Sequence, residues 1–116
     1  DICEKRIITD EVIITENRID HIVSRRGQVF YDKYSQYFKD IIEDPDYIFK
    51  DTKENTALVS KTIVDNGESI NLVLKLVVEG DDITYKNSII TAIIENKKRF
   101  SQRLRNHKPV YKKFDK

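Results

Sequence analysis

Lys86-Asn87-Ser88-Ile89-Ile90-Thr91-Ala92-Ile93-Ile94 runs straight into Glu95 to Arg105, a segment crowded with lysine and arginine. The first part is rich in branched apolar residues and reads as a strand. The second reads as a helix, with Phe100 and Leu104 at i and i+4 giving it a narrow apolar face. Two hydroxyls, Ser88 and Thr91, sit inside the strand. In a regular strand they point to opposite faces, and only a bulge would bring them to one side, so Thr91 alone is favoured as the site residue.

Upstream of this junction the pattern is helical first and then extended. Lys5 to Ile8 and Val12 to Ile14 are short β-branched runs, expected to form one bent strand or two short ones. Thr15 suits an N-cap before Glu16, and Gly27 suits the stop of that helix. Within it Ile19, Ile22 and Val23 share a face, His21 and Arg25 lie one turn apart with Arg18 beside them, and Arg26 falls close to the apolar stripe. Val29 to Glu43 reads as one helix with an aromatic and aliphatic face of Phe30, Tyr34, Tyr37, Phe38, Ile41 and Ile42. Asp44-Pro45-Asp46 ends it. Strands are expected at Tyr47–Phe49, Thr56–Val64 and Ile70–Val78, with turns at Asp65-Asn66-Gly67-Glu68 and Gly80-Asp81-Asp82. Lys75 interrupts an almost continuous apolar run. Pro109-Val110-Tyr111 closes the chain as a short strand or an ordered tail.

The 116 residues fit a single domain spanning 1–116. That length buries about two-thirds of the unfolded surface, so no metal or disulfide staple is needed. The chain is 35% charged and 39% hydrophobic, and no apolar run approaches a membrane span. Its start at Asp1 suggests a domain excised from a longer protein, and the lone Cys3 has no partner for an internal disulfide. Net charge is only +1, but it is unevenly spread. From Lys97 to Lys116 nine Lys or Arg face one acid, giving +8, while the preceding residues hold twelve against nineteen, giving −7. Such polarity orients a phosphate ligand toward one end, or marks a solvated basic tail.

Several chemistries are set aside. Three glycines make no phosphate loop, no Cys/His cluster has zinc spacing, and no G-x-S-x-G nucleophile motif occurs. Asp44-Pro45-Asp46 reads as a turn rather than a metal site. What remains is a set without metal or cofactor: His21, Arg25, Arg26, Lys75, Ser88, Thr91, the cations of the last helix and Tyr111 beyond. That set suits RNA cleavage by attack of the ribose 2′-hydroxyl on the adjacent phosphate. Such a reaction needs a base, and imidazole titrates near neutral pH. It also needs donors around the phosphorane oxygens, which Arg, Lys and hydroxyls supply. Each residue has a plain alternative: His21 as a surface histidine, Arg25 as a paired surface cation, Lys75 on a strand edge, Thr91 as a good strand former. His107, in an expected loop, reads as surface.

The order of these features resembles the phage-associated nuclease domains of the barnase/EndoU/colicin/RelE superfamily. The resemblance runs from His21 to Tyr111. It rests most on Asn87-Ser88-Ile89-Ile90-Thr91-Ala92 with Arg99 and Tyr111. It implies an α+β fold, with N-terminal helices packed on a twisted antiparallel sheet and a further basic helix near the C-terminus. It also implies a ribonuclease toxin domain delivered from a secreted or cell-surface toxin. That domain would act on RNA, commonly tRNA, in the target cytoplasm, countered by a cognate immunity protein. Carried onto this chain, His21 is the acid/base candidate, Arg25 or Arg26 and Lys75 stabilise phosphate, and Thr91 and Tyr111 join the catalytic set. Asn87, Ser88, Lys97, Arg99 and Arg103 are the expected substrate contacts. Similar domains often carry a second histidine about a turn after the first. Here Arg25 and Arg26 stand in that region, so the proton donor to the leaving group is unassigned. Two rival readings are a non-enzymatic nucleic-acid-binding module and an immunity or interaction protein.

Overall fold

A computed structural model describes residues 6–62 and 67–113. Cys3 and half of the expected 65–68 turn, Asp65 and Asn66, lie outside the described residues. Among those described, the chain forms four helices and one six-stranded sheet. In chain order these are β1 (Val12–Ile13), α1 (Glu16–Arg26), α2 (Gln28–Ser35), α3 (Phe38–Glu43), β2 (Tyr47–Lys50), β3 (Thr56–Thr62), β4 (Ser69–Lys75), β5 (Asn87–Glu95), α4 (Lys97–Asn106) and β6 (Tyr111–Lys112). The sheet order is β1-β5-β4-β3-β2-β6, antiparallel throughout except where β1 runs parallel to β5. The early β-branched residues resolve into an isolated bridge from Ile7 to Val78 and the two-residue β1.

The caps of α1 follow from its sequence. The Thr15 side chain accepts from the Arg18 N–H, and the Gly27 N–H bonds to Val23 O. Gly27 has φ +96°, which only glycine adopts cheaply. The following segment departs from expectation: Val29 to Glu43 is two helices. The Gln36 side-chain amide donates to Lys33 O, and the Tyr37 N–H bonds instead to Tyr34 O, three residues back. A side chain has taken the carbonyl that the next helical bond required, so the helix tightens and restarts. The aromatic face survives the break, with Tyr34, Phe38 and Ile41 all buried.

The sheet separates two cores. On one face, Ala57, Val59, Ile70, Leu72, Leu74, Ile89 and Ala92 pack against Tyr34, Phe38 and Ile41 of α2 and α3. On the other, Phe49, Leu58 and Val73 pack under Phe100 of α4, with Tyr47, Ile90, Ile93 and Leu104 around them. β4 is therefore covered on both sides, as its near-continuous apolar sequence requires. Helix α1 packs along β5 and against α2, and buries Ile22.

Candidate functional site

The bulge that would reconcile Ser88 with Thr91 is present. Strand β5 pairs Ser88 with Lys75 and Ile89 with Leu74, then Thr91 with Val73, so Ile90 is the extra residue. Paired residues of an antiparallel ladder project to the same side. Lys75, Ser88 and Thr91 thus share the face that carries Val73 and α4. The apolar part of that face is roofed by Phe100 and Leu104. Beyond the roof, Lys75 is exposed and Ser88 and Thr91 are half-buried. None of the three makes a side-chain hydrogen bond or ion pair among the described residues, so their donors are available. A cation and two hydroxyls on neighbouring strands form a patch suited to phosphate oxygens.

The other expected residues are distributed around this patch. His21 and Arg25 are exposed on α1, which lies along the same strand, β5. At 3.6 residues per turn, Arg18, His21 and Arg25 fall together on one flank of the buried Ile22. Arg26 sits over the Phe30 ring, 5.5 Å from its centroid, and so leans toward α2. Lys97 and Arg99 are exposed at the start of α4, where Asn96 caps the helix by accepting from the Arg99 N–H. That start lies beyond the far end of β5: seven residues at ~3.3 Å separate Ser88 from Glu95, about 23 Å. Tyr111 is on the opposite edge strand, four spacings of ~4.8 Å, or about 19 Å, from β5. It pairs with Ile48, a residue of the α2/α3 side, so Tyr111 projects away from Thr91's face.

Asn87 is committed within the fold. It is buried, its Oδ1 accepts from Val77 N at 2.8 Å, and its Nδ2 donates to Thr9 O at 2.8 Å. Both ends of the amide are spent joining β5 to the segment after β4 and to the N-terminal chain. We assign Asn87 to the architecture rather than to substrate.

The same face holds a polar row of which the sequence singled out only Arg103. Ser60 Oγ donates to Asn71 Oδ1, Asn71 Nδ2 donates to Glu95 Oε1 at 2.7 Å, and Arg103 forks onto Glu95. The fork comprises Nε to Oε1 at 2.8 Å and Nη2 to Oε2 at 3.1 Å. Ser60 and Asn71 are fully buried and Glu95 nearly so. The signal was there to read: a serine, an asparagine and a glutamate in otherwise apolar strands need partners, because unpaired burial is costly. What strand alternation alone could not supply was the register that lines them up.

Among the described residues, two carboxylates are perturbed. Asp44 is held below the ordinary carboxylate range by hydrogen bonds from Lys113 and Lys61. Asp82 is lowered by hydrogen bonds from the Thr84 hydroxyl and N–H. Asp44 follows α3 and Asp82 lies in the loop between β4 and β5, and both serve turns. Among the described residues no three His, Cys, Asp or Glu side chains converge as a metal site, and no helix is long and apolar enough to cross a membrane.

Helices α2 and α3 on one face of an antiparallel sheet, with Lys75, Ser88 and Thr91 on the other, fit the class of small α+β nucleases. It belongs to the phage-Barnase-EndoU-ColicinE5/D-RelE like nuclease2 family (PBECR2), whose model matches residues 1–112. No match was found among curated proteins or solved structures.

Proposed function

We propose that this nuclease is an RNA endonuclease that cuts by attack of the ribose 2′-hydroxyl on the adjacent phosphate, leaving a cyclic phosphate. The observation that carries the reading is the bulge-aligned patch of Lys75 on β4 with Ser88 and Thr91 on β5, the strand against which α1 packs. Lys75 supplies charge to the phosphorane oxygens and the hydroxyls supply donors. His21, exposed on α1, is the proton acceptor, with Arg25 one turn away to hold the phosphate. The nucleophile belongs to the substrate, so DNA, which lacks it, is not cut. We further propose tRNA as the substrate. In that reading the domain is a toxin delivered into a target cell's cytoplasm and restrained by an immunity protein.

The test is to incubate the purified domain with tRNA and with DNA in EDTA, and to repeat with His21→Ala. The expected result is tRNA fragments with cyclic phosphate ends, intact DNA, and a rate about 10²- to 10⁴-fold lower for the variant with unchanged circular dichroism. Undiminished cutting by a folded His21→Ala protein removes His21 from its role. Induction in bacteria separates the substrates: growth arrest with fragmented tRNA supports the proposal, whereas arrest with intact tRNA and cut mRNA or rRNA replaces tRNA as the target.

A further inference from the structure

The row from Ser60 to Arg103 raises a question that stability alone does not answer. Helix α4 is already anchored to the sheet by Phe100 and Leu104. A buried ion pair adds little to such an anchor, because desolvating two charges offsets most of their attraction. What the pair does provide is direction. A guanidinium has five N–H donors in a fixed plane. Glu95 takes two of Arg103's five, in a fork that fixes that plane. The other three have no protein partner among the described residues. No buried side-chain nitrogen or oxygen there lacks a partner, so Nη1, which has none, is not sealed from solvent. The Arg103 side chain is 22% exposed and the Glu95 side chain 8%. The carboxylate is thus an inner support, with a cation presented outward from it.

The support is itself supported. Asn71 donates to the same Oε1 that accepts Arg103 Nε, and Ser60 fixes the Asn71 amide by donating to its oxygen. The chain of donors therefore crosses β3, β4 and β5 before reaching α4. Along β4, Asn71 stands four residues from Lys75, about 13 Å at ~3.3 Å per residue. One face thus offers two phosphate-binding points: Lys75 among hydroxyls, and Arg103 on its carboxylate.

We propose that Arg103 is a pre-set clamp for a second backbone phosphate of the RNA, and that Glu95, Asn71 and Ser60 are positioning residues that act through it. This rests on the nuclease reading above and adds a subsite to it. Orienting the guanidinium before binding removes a rotamer cost from association, so the effect belongs in substrate affinity more than in turnover.

The experiment uses wild type, Ser60→Ala, and the double variant Glu95→Gln/Arg103→Gln, which removes both charges together and leaves no unpaired buried ion. Binding is read by fluorescence anisotropy on a 2′-O-methyl RNA oligonucleotide, which cannot be cut by 2′-hydroxyl attack. Cleavage is read on unmodified RNA, and folding by thermal melts. For the double variant we expect KM and Kd about 10-fold or more higher, kcat within about threefold, and a plot of log K against log[salt] shallower by about 0.7. Ser60→Ala leaves the buried Asn71 amide oxygen without its donor, so it should lower the melting temperature somewhat, and in the folded protein raise KM several-fold with an unchanged salt slope. A folded double variant with wild-type affinity and slope overturns the clamp. A Ser60→Ala protein with wild-type KM overturns the positioning chain. Wild-type protein that neither binds nor cuts RNA would instead overturn the proposed function, so the two failures are distinguishable.

Discussion

At the scale of single residues, neighbours in one motif do different work. Asn87 and Ser88 are adjacent, yet Asn87 is sealed into the fold while Ser88 faces the open patch. Asn87→Ala leaves the Val77 N–H without its acceptor in a buried setting, which costs about 1–3 kcal/mol, and also removes the bond to Thr9 O. Urea unfolding should register that loss, while KM for RNA in the folded protein stays near wild type. Lys75→Gln should do the reverse. Lys75 has no partner among the described residues, so its loss should leave the unfolding midpoint within about 0.5 kcal/mol and lower the cleavage rate by about 10²-fold. A Lys75→Gln protein that cuts at the wild-type rate would take Lys75 out of the reaction. The sequence marked Lys75 by its own pattern and Asn87 only through the family resemblance. Lys75 was legible because a charge in an apolar strand requires a reason. Asn87's role was not, because its partners, Val77 and Thr9, are distant in sequence and neither advertises an empty bond.

At the scale of elements, local chemistry was read well where it was local. The Thr15 cap, the Gly27 stop, the Pro45 boundary and the strand-to-helix junction at Glu95 all depend on contacts within a few residues, and each is found in place. The break between α2 and α3 escaped because periodicity sees the aromatic face, which is continuous, and not the Gln36 side chain competing for Lys33 O. The β5 bulge is a related case. Alternation shows that Ser88 and Thr91 need an irregularity to coincide, but only pairing with β4 decides where it falls. Ile90 is the inserted residue, and a bulge both bends its strand and increases its twist. Deleting Ile90 should keep the Lys75–Ser88 and Val73–Thr91 pairs in register, since two residues would then separate the hydroxyls. The deletion removes the bend and Ile90's share of the α4 core, at a cost of about 2 kcal/mol. We expect retained β-sheet dichroism and a cleavage rate at least 10-fold lower. An unaltered rate would mean that the bulge sets the face of the hydroxyls without shaping the site.

At the scale of the whole molecule, the sheet keeps its two edges apart in function. One edge, β1 beside β5, borders α1 and the candidate chemistry. The other, β6 beside β2, holds the C-terminal chain. That distal edge depends on a charge cluster as well as on its ladder. Asp44 Oδ2 accepts from Lys113 Nζ at 2.7 Å and from Lys61 Nζ at 3.2 Å, tying β6 and β3 to the loop after α3. These bonds lower the Asp44 pKa below its ordinary 3.8. Because the folded value is the lower one, the contribution is fully present above the unfolded pKa and is lost as pH falls through the folded one. Acidification below about pH 4 should therefore loosen the hold of Asp44 on Lys113 and Lys61 together, Lys113 being the larger contributor to the shift. Solvent screening keeps the effect on global stability small, so the sensitive readout is local. Hydrogen exchange at the Val110 and Lys113 amides, which bond to Ile48 O and Asp46 O, should accelerate in acid while the β4 amides stay protected. In Asp44→Asn the same two amides should exchange faster at neutral pH, and lowering the pH should change them no further. If they remained acid-sensitive in that variant, the titrating group would lie elsewhere on the edge.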